Sequence, residues 1–542
     1  MVPEASCVDL TQAVQRVFRD ARQSAGLRDE TLEAGDWLQI AAEVRACFES
    51  AVAAELQEHN AERMRSLRLP DELWAEVWSH LPMRSVVSVS HVCHMWRLLA
   101  LASPPLWAVL EVFDHRHGAV CHCQSCWAVS LGAIYCKGCR SRALAIGNTS
   151  TELARLLLPR SNSSPLSLTL HIDRNEAEDE TQTIAELLAP HHQRIVHINW
   201  RSGRKHKSTA GFLRHFDALP ALRTLSSINT IVEFSRKIHL PSLRQLQVLG
   251  TPYTAGYDFS TGRLEFPSVT RLGYTMPIAW RDYLSSTLAT VPNLQTLDVY
   301  GSPLFEDPVD VDYRDVTKLA AGIEDVQIDC VSKNMYRIAM ALYTPQRRTF
   351  AVELADAPSS GFHHIFGDLR DDIQLSVVRE RNIPTHQYSY LYDTSSKYIN
   401  LDGVDSHGRR RRISQHPEED GIEAVWDHLS PPTLSALRID VTLIPVVIGT
   451  VSEYPALHEL TLNVDSLAVT SVPCFPALRV LRATVAADTQ DLAPSIPAEF
   501  LASFIVKARI EGGVLAELVL ENIKLGGDLD ALRPLVRRGV PD

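Results

Sequence analysis

The segments LPALRTLSSI (219–228) and LPSLRQLQVL (240–249) both begin with a Leu-Pro-x-Leu motif that leads into alternating apolar residues. Alternation of apolar and polar residues predicts a β-strand with one buried face. Proline suits the position just before such a strand, because its missing N–H then removes no hydrogen bond of the sheet. The two segments therefore predict strands that begin in the same way.

The same pattern returns along the rest of the chain. It appears as FPSVTRLGY (266–274), VPNLQTLDVY (291–300), PPTLSALRID (431–440), YPALHELTLNV (454–464) and FPALRVLRATV (475–485). Versions without proline lie near Leu166, Ile195, Ile323 and Leu515. Within each run the prolines are 21 to 26 residues apart, and leucine-rich repeats have a period of roughly 20–29 residues.

A repeat of this kind supplies one strand and cannot close a hydrophobic core alone, so it stacks on its neighbours. We therefore predict an α/β fold, in which an N-terminal helical region is followed by a leucine-rich-repeat-like solenoid over 160–535. The alternative is a compact α/β domain with parallel strands, which also alternates strands with helices. Such a domain seldom repeats the same strand start.

Residues 345–415 fit the repeat less well. RTFAVEL, DIQLSVV and KYINLDG are strand-like and could be degenerate repeats. The tyrosine-rich HQYSYLYDTSSKY equally suits an inserted β-meander, and both interpretations stay open. GRRRRI (408–413) is the strongest basic run of the chain. Such a run is more often a solvated loop or strand edge than a nuclear-import signal or a contact for an acidic target.

The N-terminal part of the chain predicts helices. Residues 1–66 contain one amphipathic segment that ends near Gly26 and a second that begins at Asp36, a suitable N-cap. In the following stretch, LRLPDELWAEVWSHLPMRSVVSVSHVCHMW (67–96), Pro70 fits the first turn of a helix and Pro82 ends it.

Two apolar stripes mark this stretch. Leu73, Val77 and Leu81 lie on one face of the first helix. A single second helix is predicted to carry the stripe Val86, Val89, Val92, Cys93, Trp96 and Leu99 or Ala100. So short a unit cannot bury this much apolar surface by itself. The stripes therefore indicate either a docking surface for another protein or a cap on the N-terminal end of the solenoid.

Residues 67–110 resemble an F-box. The resemblance rests on Leu-Pro-x-Glu-Leu at the first helix, Leu-Pro at its end, Val-Cys-x-x-Trp in the second helix and a closing Pro-Leu-Trp. These motifs comprise Leu69, Pro70, Glu72, Leu73, Leu81, Pro82, Val92, Cys93, Trp96, Pro105, Leu106 and Trp107. The chain departs from the family pattern at Trp74, where an aliphatic residue is usual, and at His94, where a basic residue is common.

The resemblance implies docking onto a Skp-type adaptor and, through it, a cullin–RING ubiquitin ligase. The adaptor-binding residues implied are Leu69, Pro70, Leu73, Val77, Leu81, Pro82, Val89, Val92, Cys93 and Trp96. An F-box followed by leucine-rich repeats is similar to fungal substrate receptors, in which the repeats bind the protein to be ubiquitylated. We therefore expect a non-catalytic subunit that binds an adaptor and an unidentified target protein. A repeat scaffold with no ligase role is the alternative.

A cysteine cluster, CHCQSCWAVSLGAIYCKGC (121–139), follows this segment. Cys123-x-x-Cys126 and Cys136-x-x-Cys139 can supply four thiolates to a tetrahedral zinc ion. Four thiolates leave no open position, so the zinc would be structural. The spacer between the two pairs is short, and a loop of free thiols is the alternative.

Net charge, the length of the apolar runs and the motifs present argue against several other functions. With 53 basic and 65 acidic residues the net charge is −12, which disfavours general binding of nucleic acids or anionic membranes. No apolar run is long enough to span a membrane, and the N-terminus lacks the basic start of a secretory signal. HExxH, P-loop, GxGxxG and GxSxG motifs are all missing. These features predict a non-enzymatic protein of the cytoplasm or nucleus.

Overall fold

The computed structural model describes most of the chain beyond residue 68. The described ranges are 69–81, 83–114, 150–172, 177–201, 207–208, 210–228, 230–231, 238–249, 265–275, 283–301, 313–331, 335–354, 359–379, 398–417, 423–448, 451–464, 467, 472–485 and 495–540, together with 49–56, 58–59 and a few positions between 16 and 46. The chain divides into two compact units. The first comprises 1–110 and 156–165, and the second comprises 111–155 and 166–542.

Helices dominate the first unit. The described positions between Arg16 and His59 are helical. They are followed by three short helices, α1 (Asp71–Ser79), α2 (Met83–Val89) and α3 (His94–Ala102), and by a 3₁₀ turn at Pro104–Trp107.

Strands and helices alternate in the rest of the chain. The helices are α4 (Ser150–Leu157), α5 (Ala177–Leu188), α6 (Ala210–Leu213), α7 (Tyr283–Thr290), α8 (Arg314–Ala320), α9 (Tyr336–Leu342), α10 (Ile444–Val447) and α11 (Ala498–Lys507). The strands are β1 (Val109–Asp114), β2 (Leu166–Ile172), β3 (Ile195–Arg201), β4 (Lys207–Ser208), β5 (Thr224–Ile228), β6 (Thr230–Ile231), β7 (Gln245–Leu249), β8 (Arg271–Thr275), β9 (Thr296–Tyr300), β10 (Asp325–Val331), β11 (Thr349–Leu354), β12 (Ile373–Arg379), β13 (Tyr398–Val404), β14 (Arg410–Pro417), β15 (Leu434–Asp440), β16 (Glu459–Asn463), β17 (Val480–Thr484), β18 (Ser495–Pro497), β19 (Glu517–Glu521) and β20 (Lys524–Gly526).

Sixteen of these strands form one sheet, in the order β1-β2-β3-β5-β7-β8-β9-β10-β11-β14-β13-β12-β15-β16-β17-β19. Pairing is parallel from β2 to β11, from β11 to β14, and again from β12 to β19. Only β13, among the strands with described pairings in this sheet, runs antiparallel to both neighbours. The predicted α/β class with helices at the N-terminus is confirmed.

The recurrent prolines initiate the turns that lead into the strands. Six of them, at 220, 241, 267, 292, 455 and 476, stand four residues before the first residue of a strand. In each case the residue two positions after the proline donates its N–H to the carbonyl of the residue that precedes the proline, over 3.1–3.3 Å. Proline at the second position of such a turn is favoured because its ring presets φ. The local sequence therefore dictates where these strands begin.

One buried residue from each strand forms a continuous apolar row across the sheet. In register across the first parallel part, this row comprises Leu168, Ile198, Leu225, Leu246, Leu272, Leu297, Val326 and Phe350. It resumes after the antiparallel strand as Leu375, Leu437, Leu460, Leu481 and Leu518. All of these side chains are at most 3 % exposed, so their burial supplies the hydrophobic driving force for adding strand to strand.

Residues 373–417 interrupt the parallel order. β12, β13 and β14 form an antiparallel meander that enters the sheet in reverse, with β14 next to β11 and β12 next to β15. The segment 408–413 is therefore not a solvated loop or strand edge, because most of it belongs to β14, which pairs on both sides. Arg411 and Gly403 occupy the buried row in this meander, opposite Phe350 and Leu375 respectively.

The last strand of the sheet is covered by the C-terminal segment. The N–H groups of Leu515 and Leu518 donate to the carbonyls of Leu535 and Arg538, over 2.8 and 2.9 Å. An uncovered edge strand would present unpaired backbone groups to other chains. The chain thus satisfies this edge with its own backbone.

None of the described helices combines the length and the apolar character that crossing a membrane requires.

Candidate functional site

Tryptophan side chains form the interior of the helical segment 69–107. The rings of Trp74, Trp78 and Trp96 contact one another, with centroids 5.3–5.9 Å apart. Trp78 is buried at 2 % exposure, although the apolar stripe predicted for its helix, Leu73, Val77 and Leu81, does not include it. Aromatic groups of this size contribute most of the burial that a unit this small can achieve.

Trp107 joins the 3₁₀ turn to α3. Its side chain is fully buried and its indole Nε1 donates to the carbonyl of Ala100 over 2.7 Å. The guanidinium of Arg160 lies over the ring, 5.1 Å from its centroid, in the geometry of a cation–π contact. Leu106 and Trp107 of the closing Pro-Leu-Trp motif are therefore part of the core of the first unit, whereas Pro105 is exposed.

Local sequence explains how α1 begins. Pro70 precedes the helix in an extended conformation, and its carbonyl accepts from the N–H groups of Leu73 and Trp74 over 3.1 and 3.2 Å. Asp71 and Glu72 occupy the first turn, where a carboxylate interacts favourably with the helix dipole. Pro70 is therefore the N-cap and not, as predicted, a residue of the first turn, so the helix begins one residue later than the sequence indicated.

The single second helix predicted from the sequence is wrong. The structure has two helices, α2 and α3, separated by a turn at 90–93. Cys93 has an extended backbone and caps α3, because its sulfur accepts from the N–H of Trp96 at 3.5 Å. The predicted stripe ran through this break and combined side chains of different environment: Val86 and Ala100 are buried, whereas Val92 is 63 % exposed.

The residues predicted to bind an adaptor lie largely on the surface. Leu69, Leu73, Val77, Leu81 and Val92 are 36–63 % exposed. Pro70 is also exposed, Val89, Cys93 and Trp96 are half-buried, and Pro82 lies outside the described residues. Leu73 and Val77 are four residues apart on α1, on a different side from the buried Trp78, and Leu81 follows just beyond the end of the helix. The first helix thus has an inner aromatic face and an outer aliphatic face.

Helix α3 has an outer apolar face that the sequence prediction missed. Met95, Leu98 and Leu101 are 39, 50 and 41 % exposed. Their spacing of three residues could have indicated this face, but the assumption of one continuous helix assigned Val92 and Trp96 to the same stripe. Clusters of exposed large apolar side chains mark interaction sites more often than isolated ones do.

The other surface rich in functional groups is the polar face of the sheet, opposite the buried row. Arginines on it bond carboxylates of adjacent strands: Arg271 with Asp298 at 2.9 Å, and Arg348 with Asp325. Burial alone would raise the pKa of Asp325, but hydrogen bonds from Arg348 and Thr349 lower it below its usual value. Much of the charge on this face is therefore neutralised within the protein.

The predicted zinc ligands Cys123, Cys126, Cys136 and Cys139 lie outside the described residues. Among the residues that the structure describes, Cys93 and Cys474 are free thiols. The same residues contain no group of three or more histidine, cysteine, aspartate or glutamate side chains placed to hold a metal ion.

Comparison with known proteins identifies the class of the helical segment. The F-box domain family model matches residues 66–107, the range that contains the aromatic core and the exposed aliphatic faces. The chain therefore carries an F-box domain, and an F-box implies an adaptor-binding role in ubiquitin ligase complexes of the SCF type. No curated protein matches the chain.

Proposed function

We propose that this chain is a substrate-recognition subunit of an SCF-type E3 ubiquitin ligase. The F-box docks a Skp-type adaptor, which links the chain to a cullin, and the sheet region binds the target protein. The observation that carries the proposal is the outer face of the F-box, where Leu69, Leu73, Val77 and Leu81 are exposed over a tryptophan core. Apolar side chains of this kind gain burial when a partner covers them.

The second half of the proposal is that residues 160–535 form a leucine-rich-repeat-like solenoid. The support is local: six proline turns of the same geometry, each followed by a strand, and a buried row that continues from strand to strand. A large sheet with a polar face offers an extended surface for a protein ligand. In this arrangement the chain supplies no catalytic group, and the rate of ubiquitin transfer rises because the target is held close to the ubiquitin-carrying enzyme. We place the complex in the cytoplasm or nucleus.

Co-purification tests the proposed function. The full chain, co-expressed with a Skp-type adaptor, should elute with it as a stoichiometric complex that also binds the cullin. Depletion of the chain in cells should raise the abundance of a protein that it binds. Failure to bind the adaptor would contradict the proposal, and stable binding of a protein whose abundance does not respond would favour the scaffold alternative.

We also propose that Cys123, Cys126, Cys136 and Cys139 bind one structural zinc ion, on the basis of two C-x-x-C pairs in one short segment. The purified full chain should contain about one equivalent of zinc by elemental analysis, and Cys136→Ser should lose most of it. Cys474→Ser is the matched control, because Cys474 is a free thiol elsewhere in the chain and its loss should leave the zinc content unchanged. A wild-type content below about a tenth of an equivalent would contradict the site.

A further inference from the structure

Two exposed arginines lie side by side where strands β5 and β7 begin. Arg223 immediately precedes Thr224, Arg244 immediately precedes Gln245, and these two strand residues are paired in register. The N–H of Arg244 donates to the carbonyl of Arg223 over 2.9 Å. Adjacent strands are separated by about 4.8 Å, so the two arginines leave the backbone at neighbouring positions.

His197 extends this basic strip towards β3. It pairs with Thr224 across the two strands and is exposed. Its pKa is lowered, first because the ring is partly desolvated and second because the charge of Arg223 is near. The three side chains His197, Arg223 and Arg244, called the basic strip below, belong to neighbouring strands, and the two arginines carry the positive charge of the strip.

The basic strip differs from several arginines that lie in or next to other strands of the sheet. Arg271, Arg348, Arg410 and Arg482 each bond a carboxylate on an adjacent strand. Within the described part of the chain, no carboxylate lies within ion-pair distance of Arg223 or Arg244. Arg348 immediately precedes its strand as Arg223 and Arg244 do, and its partner Asp325 lies opposite the first residue of that strand. The corresponding positions for Arg223 and Arg244 hold His197 and Thr224. Like charges on neighbouring strands are unfavourable without a counter-charge.

We propose that the basic strip binds an acidic segment of the target protein. This inference rests on the proposed function and specifies the chemistry of its target. Alternate side chains of an extended peptide lie roughly 6.6–6.8 Å apart on one side, a spacing that the long side chains of Arg223 and Arg244 can bridge. Carboxylates of a segment crossing the strand starts would then each meet one guanidinium, and Arg can bind a carboxylate through two parallel hydrogen bonds.

A protein ligand fits the strip better than a nucleic acid. The overall charge is −12, so a polyanion meets repulsion from most of the protein surface. Two arginines are also fewer positive groups than proteins use to follow a phosphate backbone, where roughly 6–10 contacts are common. A short acidic segment needs only local complementarity.

The test uses the full chain in complex with its adaptor. The probe is a fluorescein-labelled octapeptide of alternating glutamate and serine, and the matched glutamine–serine octapeptide serves as the neutral comparison. Wild type should bind only the acidic peptide. In the double variant Arg223→Glu with Arg244→Glu, the Kd for the acidic peptide should rise about tenfold or more, because charges at the rim of an interface act on association and salt dependence. The affinity of wild type should also fall as salt rises from about 0.05 to about 0.3 M.

The double substitution Arg479→Glu with Lys524→Glu is the control. Both residues are exposed and the net charge changes by the same amount, but neither belongs to the basic strip, so the Kd should stay within about twofold of wild type. Adaptor binding is measured in parallel for every variant. If adaptor binding is intact and reversal of Arg223 and Arg244 leaves the Kd unchanged, the strip proposal is overturned while the proposed function stands. Loss of adaptor binding in wild type would instead refute the proposed function.

Two further outcomes would also overturn the strip proposal. One is a wild-type protein that binds neither peptide. The other is displacement of the acidic peptide by a single-stranded DNA oligonucleotide at much lower concentration than by unlabelled peptide. In that case the strip would be a nucleic-acid contact.

Discussion

Leu73→Asp combined with Val77→Asp is expected to weaken binding to the Skp-type adaptor by more than about a hundredfold while the F-box keeps its fold. Burial of an aliphatic side chain contributes about 1.5–3 kcal/mol, and a carboxylate in its place must lose its hydration without gaining a partner. A combined loss of about 3 kcal/mol or more corresponds to such a factor in Kd. The measurement is a titration of the purified full chain with adaptor, by calorimetry or surface plasmon resonance.

The fold is expected to survive because the two side chains are 50 and 52 % exposed on the outer face of α1. Substitution of exposed helical residues by aspartate costs only several tenths of a kcal/mol in helix propensity. The matched control is Leu319→Asp with Val506→Asp, which places the same charges at exposed helical residues of the second unit. This control should bind the adaptor as wild type does.

Trp78→Ala tests the opposite case, in which the interior of the helical segment is disturbed while the exposed side chains of α1 are unchanged. Trp78 is buried and contacts both Trp74 and Trp96, so its loss should destabilise the helical segment by about 3–5 kcal/mol. Circular dichroism should then show less helix and a lower unfolding temperature. If the aspartate variants at 73 and 77 bind normally, the outer face of α1 is not the docking surface, whatever Trp78→Ala does.

The sequence predicted best those features that depend on neighbouring residues. A proline at the second position of a turn fixes the backbone at the turn, and six strands begin four residues after such a proline, not directly after it as the sequence suggested. Pro70 with its two acidic neighbours located the start of α1 in the same way. Each of these signals acts within about four residues and does not depend on the rest of the fold.

Features that depend on distant contacts were missed or left open. The break between α2 and α3 rests on a weak cap by the sulfur of Cys93, which the apolar periodicity of the stretch conceals. The order β11-β14-β13-β12-β15 depends on pairing between strands more than 50 residues apart. No local pattern distinguishes such a reversed meander from repeats that follow one another in order.

Arg411 is the clearest case of a residue whose environment contradicts its type. In the sequence it belongs to a basic run, but in the structure it continues the buried row next to Phe350 and is fully buried. Gly403 pairs with Arg411 on the next strand. A larger residue would not fit there, because a Cβ would lie 2.7 Å from Leu369 and 3.2 Å from Phe366. At these two positions of the buried row, an arginine and a glycine therefore replace the apolar side chains found on the other strands.

Backbone carbonyls explain how the charge of Arg411 is accommodated. Its guanidinium donates to the carbonyls of Pro345, Arg347 and Arg410, each over 2.9–3.0 Å. Arg347 is buried beside it and donates to carbonyls at the ends of α8 and α9, including Ala320 at 3.0 Å and Leu342 at 2.5 Å. Burial, and secondarily the charge of Arg411, lowers the pKa of Arg347 to about 10. Both arginines stay protonated at neutral pH and donate to backbone carbonyls at turns and at the ends of helices and strands.

Arg411→Met is accordingly expected to lower the free energy of unfolding by about 3–5 kcal/mol, because the methionine fills the space but leaves buried carbonyls without donors. Desolvation of the charge in wild type opposes this loss. A buried carbonyl without a donor costs about 1–3 kcal/mol, however, and the substitution removes the arginine donor from more than one carbonyl. Arg411→Lys should recover part of the stability, since an ammonium group donates to some of the carbonyls but lacks the planar geometry of the guanidinium.

Arg412→Met is the matched control. Arg412 is the next residue of the same strand and is exposed on the polar face, so its replacement should change the unfolding free energy by less than about 0.5 kcal/mol. Urea denaturation of the full chain, followed by circular dichroism and tryptophan fluorescence, measures all three variants. Equal stability of Arg411→Met and Arg412→Met would mean that the buried guanidinium contributes nothing net, and that the meander is held by its strand pairing and apolar contacts alone.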